Sequence, residues 1–454
     1  MSHSLTTVPF RYCGKRLHAA VHKQELHCFL TRIPCRPIHG PVSKLSLIAK
    51  PPPNNRPSHV IPAFSVSCLP RIVFGEGTLR QVPNLSAAFG KRALLITGGH
   101  SLRISPHWDI LTAGLRTQGL SWEEMRIEGE PSPHLVDEAV RAWRGAQIEV
   151  VVGIGGGSVL DAAKTVAGLL PHGNSVMDHL EGVGPEIPYK GPATPFIAVP
   201  TTAGTGSEAT KNAVLSVHGA QGFKKSFRHD LLVPRYAVVD PLLLASCPPS
   251  LIAANGMDAL TQLLESYVSI RANPFTDALA LSGLDAVRGG LFDWYEGNEH
   301  AASGRSKMAY AALLSGITLA QAGLGSVHGL ASPLGAFFPV PHGVVCGTLV
   351  AAATDVNIRA LRERAPDSPS LEKYAQIGRM LNDRPRLPRE EAWELLIQRL
   401  NDWTQRMDLP RLRAYGIQEP DVPRVVANCR GSSMKTNPVE LTDAEVREVL
   451  MQRL

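Results

Sequence analysis

Four short apolar runs, "PRIVFGEG", "RALLITGG", "IEVVVGIGGGS" and "TPFIAVPTT", lie between Pro70 and Thr202, and each closes on glycine or hydroxyl residues. Between them stand stretches with apolar residues every three or four positions: "TLRQVPNLSAAFG", closed by Gly90, then "WDILTAGLRTQG", "PHLVDEAVRAWRGA" and "SVLDAAKTVAGLL". The first reads as a strand and a turn and the other three as strands buried on both faces, and the alternation of apolar strands with helices predicts βαβ units and a parallel sheet. From Pro249 the pattern changes. "SLIAANGMDALTQLLESYVS", "FTDALALSGLDAVRGGLFDWYEG", "SKMAYAALLSGITLAQAG", "SPSLEKYAQIGRML", "REEAWELLIQRLNDWTQRM" and "LTDAEVREVLMQRL" all carry helical spacing, with a loop at "FFPVPHG". The chain therefore reads as an α/β domain with a parallel sheet followed by an all-α domain. A length of 454 residues, long for one core, agrees with two domains.

Charge separates a further segment. Residues 1–60 hold nine Lys/Arg and one acid, Glu25, whereas the remainder holds 37 basic and 39 acidic residues. The formal net charge of +6 thus belongs to the leader, and the near-neutral body offers no field for nucleic acid. Residues 1–65 are proline-rich, aperiodic and acid-poor, with a faint likeness to a transit peptide. His22, His27, Cys28, Cys35 and His39 fit no familiar metal spacing, so the expectation is a disordered or extraneous leader. The expected divisions are 1–65, 66–248 for an α/β nucleotide-binding domain, and 249–454 for a helical domain. No apolar run reads as long enough to span a bilayer. The seven cysteines are dispersed, without a CxxC pair, which implies a reducing compartment and a cytoplasmic protein.

"GIGGGSVLDAAK", Gly153 to Lys164, follows a buried strand and opens a helix. Glycines let a ligand approach the backbone, and a helix N-terminus offers unpaired N–H groups with partial positive charge. Gly155, Gly156, Gly157 and Ser158 are therefore expected to hold a pyrophosphate, although the order is not GxGxxG. "PTTAGTGSEAT", with Thr201, Thr202 and Thr205, follows the next strand. At the tip of the same sheet it is placed to line a cofactor groove.

In the helical half Asp258 and Gln262 stand four residues apart, on one helical face. Far downstream, His328 and His342 are bracketed by glycines and prolines in "AGLGSVHGLASPLGAFFPVPHG". Spacing alone leaves two readings open, a metal site or packed core histidines.

The run from "GMDALTQ" to "FFPVPHG", together with "GGGSVLDAAK" and "PTTAGTGSEAT", resembles the iron-containing (group III) alcohol dehydrogenases over about residues 65–454. The resemblance implies a nucleotide domain and a helical domain, with NAD or NADP and a divalent metal, Fe2+ or alternatively Zn2+, in a cleft between them. It implies Asp258, His328 and His342 as metal ligands. Gln262 stands where the family pattern has a third His, and Ser332 where many members have a His that assists proton transfer. Gln262 is expected to ligate weakly through its amide oxygen, and Ser332 cannot serve as an acid near neutral pH. The resemblance further implies Lys224 beside the nicotinamide ribose and Asp161 orienting the glycine loop. Gly98 stands where NAD-preferring relatives carry an Asp, and its lack of a carboxylate admits NADP.

The implied chemistry is reversible hydride transfer between nicotinamide and a small alcohol or aldehyde, with Asp258, His328 and His342 acting through the metal. Two other readings stand beside it: a nucleotide-binding protein with a degenerate metal site, and a lyase or polyol dehydrogenase of the same fold. No nucleic-acid or membrane partner is expected, and a homodimer or larger homo-oligomer is.

Overall fold

The structure is a computed structural model that describes residue 61 and residues 63–454. All of the expected leader except residues 61 and 63–65 lies outside the described residues. Eight strands follow: β1 (Arg71–Phe74), β2 (Arg92–Gly98), β3 (Ser121–Ile127), β4 (Val150–Gly155), β5 (Phe196–Pro200), β6 (Asn212–Val217), β7 (Phe223–Arg228) and β8 (Tyr236–Val239). Six of them form a parallel sheet in the order β1-β8-β5-β4-β2-β3, and β6 and β7 pair as an antiparallel hairpin. Helices α1 (Val82–Ala87), α2 (Pro106–Thr117), α3 (Pro133–Trp143) and α4 (Gly157–Leu169) alternate with the first strands.

From β2 the chain runs outward to β3 and then returns to β4 on the other side of β2. The order therefore reverses between β2 and β4, and ligands of such sheets bind at the carboxyl ends of the strands at that point. Gly98 closes β2 there, and Gly155 closes β4. Successive residues of β2 serve opposite faces. Leu95 joins the core shared with the helical half, and Leu94 and Ile96 join the one under α3 and α4.

Four strands escape the sequence reading: β3, β6, β7 and β8. β3, "SWEEMRI", is an edge strand paired only with β2, so its charged residues meet solvent and break the apolar signal. β7, "FKKSFR", belongs to a hairpin with one covered face, and β8 has only four residues. The stretch "TLRQVPNLSAAFG" divides into a 3-10 turn, Thr78–Gln81, and the short α1, which carries Pro83 at its start.

The helical half opens with α5 (Pro249–Val268), followed by α6 (Pro274–Arg288), α7 (Leu291–Tyr295), α8 (Ala301–Ala322), α9 (Ser326–Phe337) and α10 (His342–Arg364). Gly289 and Gly290 split what the periodicity presents as one helix into α6 and α7. Four further helices run to Asp443–Met451. α5 touches α6, α8 and α10 and is buried along nearly its whole length. The sequence shows no apparent membrane span, yet α10, with 23 residues and an 18-residue window of mean hydropathy 1.4, is long and apolar enough for one; 89% of that window is buried inside the protein.

Candidate functional site

A helix buried on all sides tolerates polar residues only where they find partners. On α5, Asp258, Gln262 and Glu265 follow one another at i, i+4 and i+7 on one face, and all three are buried. That face looks toward the start of α9, which carries His328, and the first turn of α10, which carries His342 and Cys346. Asp258 Oδ1 lies 3.2 Å from His328 Nε2 and 3.8 Å from His342 Nε2. Cys346 Sγ lies 3.5 Å from His328 Nε2 and 3.7 Å from His342 Nε2. One donor atom from each of these four residues lies within 4.8 Å of every other. The structure thus brings together the acid and the two histidines named from sequence, and adds Cys346. Cys346, which the sequence reading passed over, stands four residues after His342, one turn along the same helix.

The residues fit a cation. Asp258 is 1% exposed, and its Oδ2 has no hydrogen-bond partner. An unpaired carboxylate oxygen at that depth is costly unless a positive charge faces it. Burial raises the Asp258 pKa, but His342, His328 and Gln262 outweigh it and bring it down to about 2. Burial likewise opposes charge on His328, yet Cys346, Asp258 and Glu265 hold its pKa well above the usual imidazole range. Surroundings that favour a proton in this way also favour a metal ion in its place. His342 is drawn down to about 4 by burial, with Lys224 and His328 acting against the pull of Asp258, so it is neutral and able to ligate at pH 7. Burial pushes the Cys346 thiol up to about 12.

Glu265, unmarked in the sequence reading, fixes His328. Its Oε2 accepts from His328 Nδ1 at 2.7 Å, and its Oε1 accepts from the backbone N–H of Val327 at 2.7 Å. With Nδ1 committed, Nε2 is the nitrogen left to ligate. Gln262 takes a different posture from the one expected: its Oε1 lies 3.1 Å from Ser315 Oγ on α8, which in turn lies 3.3 Å from Gly204 O. Ser332 Oγ donates to the backbone carbonyl of Lys224 at 3.1 Å.

At the sheet edge, Gly156 caps α4 and Gly157 begins it. A Cβ on Gly157 would stand 2.7 Å from Thr205 Cγ2, so the loop after β5 packs directly on the glycine turn. Thr201 N–H donates to Gly155 O at 3.0 Å, and Thr202 lies against Gly156. Ser158 follows in the first turn of α4. Asp161 of α4 reaches the loop after β5 and strand β6: its Oδ1 accepts from Ser207 Oγ and its Oδ2 from Val214 N at 3.1 Å. Gly206, at φ 62, takes a left-handed conformation that lets the loop meet the backbone of Gly316 in α8.

Lys224, on β7, forms an ion pair with Glu130 in the turn after β3, and Ser216 Oγ donates to the same carboxylate. Both Lys224 and Glu130 act electrostatically on His342. The loop after β5 and the cluster around Asp258 therefore adjoin through Ser315, and Lys224 lies near His342.

Comparison with known proteins gives this geometry its context. The family model described as iron-containing alcohol dehydrogenase matches residues 70–241, and that of the C-terminal part of the Fe-containing alcohol dehydrogenase family matches residues 252–454. The chain is 31% identical to an NADPH-dependent butanol dehydrogenase of Clostridium saccharobutylicum, over 84% of this chain and 96% of that one. It is 32% identical to long-chain-alcohol dehydrogenase 1 of Geobacillus thermodenitrificans, over 84% and 95%. Among solved structures, a 1,3-propanediol oxidoreductase superposes with a TM-score of 0.78 at 28% identity, over 87% of this chain and all of that one. An iron-containing alcohol dehydrogenase of Thermotoga maritima gives 0.72 at 27%, over 86% and 99%. Matches that run through both halves of the described fold place the chain in the iron-containing alcohol dehydrogenase family, among the NAD(P)-dependent oxidoreductases.

Proposed function

We propose that residues 66–248 seat NAD or NADP, and that residues 249–454 hold a divalent metal and the substrate, for the reversible oxidation of a small alcohol to its aldehyde. The convergence of Asp258, His328 and His342, with Asp258 Oδ1 3.2 and 3.8 Å from the two imidazole Nε2 atoms, carries the reading. A divalent ion bound there, Fe2+ as the family's description suggests or Zn2+, supplies a Lewis acid for the substrate oxygen.

The chain's own groups do the rest. Asp258 contributes the anionic donor, and Glu265 holds His328 in the tautomer that presents Nε2. The N–H groups around Gly155, Gly156, Gly157 and Ser158 seat the pyrophosphate at the N-terminus of α4. Thr201, Thr202 and Thr205 line the same crevice, and Asp161 locks their loop against it. Gly98 sets no carboxylate against a 2′-phosphate, which is consistent with either nucleotide. Lys224, held by Glu130, places a cation between the nucleotide side and His342. Ser332 is committed to the Lys224 carbonyl, so a proton released from substrate travels by water or another group. The relatives named above are alcohol dehydrogenases, which favours this reaction over a lyase. The free cysteines Cys68, Cys247, Cys346 and Cys429 suit a reducing compartment such as the cytoplasm.

The test is turnover. Purified protein supplied with Fe2+ or Zn2+ is given NADPH or NADH and aldehydes of increasing chain length, and loss of reduced nucleotide is followed by absorbance. Consumption with at least one aldehyde is expected. Nucleotide binding without turnover on any of them would leave a binding protein instead.

A further inference from the structure

We infer that Cys346 is the fourth metal ligand of this chain, occupying the place that Gln262 does not fill, and that the site therefore prefers Zn2+ or Co2+ to Fe2+. The inference rests on the reading of Asp258, His328 and His342 as ligands, and goes beyond it in naming the donor and the class of ion.

Geometry carries it. In a tetrahedral site with nitrogen or oxygen donors at ~2.0 Å and sulfur at ~2.3 Å, neighbouring donors stand about 3.3 Å apart for O and N and about 3.5 Å apart for N and S. The structure has 3.2 and 3.8 Å from Asp258 Oδ1 to the two imidazoles, and 3.5 and 3.7 Å from Cys346 Sγ to the same two nitrogens. These are four of the six edges such a site requires, and all four donor atoms lie within 4.8 Å of one another. Asp258 Oδ2, the other oxygen of that carboxylate, is buried without a partner, which calls for a cation at this carboxylate independently of the cysteine. Gln262, by contrast, sets its Oε1 3.1 Å from Ser315 Oγ, while its amide also acts on the Asp258 carboxylate.

The chemistry agrees. One carboxylate and one thiolate neutralise a divalent ion, which lowers the cost of burying it. The thiol proton leaves to solvent as the sulfur–metal bond forms. A thiolate is a softer donor than the imidazole of the family pattern, and tilts the site from iron toward zinc and cobalt. Four protein donors are kept, the number in the pattern of one Asp and three His, and a substrate oxygen would join the ion as a fifth donor.

Cobalt is the probe that decides it. Chelator-stripped protein titrated with Co2+ should bind about one ion per chain and develop a near-ultraviolet thiolate-to-cobalt charge-transfer band. Cys346→Ser and Cys346→Ala should both lose the band and weaken Co2+ binding by about a hundredfold or more, since even outer-shell partners cost ten- to hundredfold. Adding Gln262→His to Cys346→Ala should restore affinity without the band. Bound Co2+ with no such band, or a band and affinity that survive Cys346→Ala, overturns the inference and leaves the three-ligand reading intact. A wild-type chain that binds no Co2+, or an Asp258→Ala variant that binds it with an unchanged spectrum, overturns both.

Discussion

The glycine turn at the sheet and the cluster on α5, α9 and α10, the proposed nucleotide and metal sites, are built from opposite materials. The first is built from backbone: glycines at a helix N-terminus, closed over by a hydroxyl-rich loop that a single Cβ on Gly157 would push away. The second is built from side chains on three helices, with His328 oriented by the buried Glu265 behind it. A backbone site is fixed by local geometry and tolerates little added volume. A side-chain site is fixed by packing, and each ligand can be removed without moving the helices. The two should fail independently.

The largest expected effect is on chemistry alone. His342→Ala should lower kcat/KM by about a thousandfold, on the order of 4 kcal/mol, while the Kd for NADPH, read from nucleotide fluorescence, stays close to wild type. A parallel collapse of nucleotide affinity would show that the two regions are one. The converse variant, Gly157→Val, should weaken NADPH binding at least about tenfold through the contact with Thr205, with metal content by mass spectrometry unchanged. Metal lost along with nucleotide would again dissolve the distinction.

A smaller change sharpens the side-chain half. Glu265→Gln keeps the shape and weakens the acceptor for His328 Nδ1, so metal affinity should drop about tenfold. An unaltered affinity would remove Glu265 from the site's support.

The smallest effect concerns the seam. Burial raises the pKa of Glu208, in the loop after β5, from 4.5 to about 7. The native state thus favours the protonated acid. That contribution to stability is complete below pH 4.5 and is lost as pH rises through about 7. Urea midpoints measured across that window should fall with rising pH, and Glu208→Gln should flatten the fall. A profile unchanged by the substitution would assign the dependence elsewhere.

The same contrast explains what could be read from sequence. The glycine turn was legible because its parts are contiguous: buried strand, glycines, helix. The parallel sheet was legible wherever strands are covered on both faces, as β2, β4 and β5 are. It was silent at the charged edge strand β3 and at the β6–β7 hairpin. For the metal cluster, Asp258, His328 and His342 needed the family resemblance to be drawn together, because helix packing rather than periodicity sets their convergence. Glu265, Glu130 and Cys346 were passed over. Glu265 shares a face with Asp258, but an acid on an apolar helix reads as solvated until a partner is known. Cys346 reads as one more small core residue until its neighbours are seen.

The central claim is that a carboxylate of α5 and two imidazoles of α9 and α10 share one ion beside the nucleotide. Metal content measured in parallel on the wild-type chain and on Asp258→Ala, each with NADPH binding recorded on the same sample, tests it most directly. About one divalent ion per wild-type chain, next to none in the variant and equal NADPH affinity in both is the predicted result. Equal metal in the two proteins would contradict it.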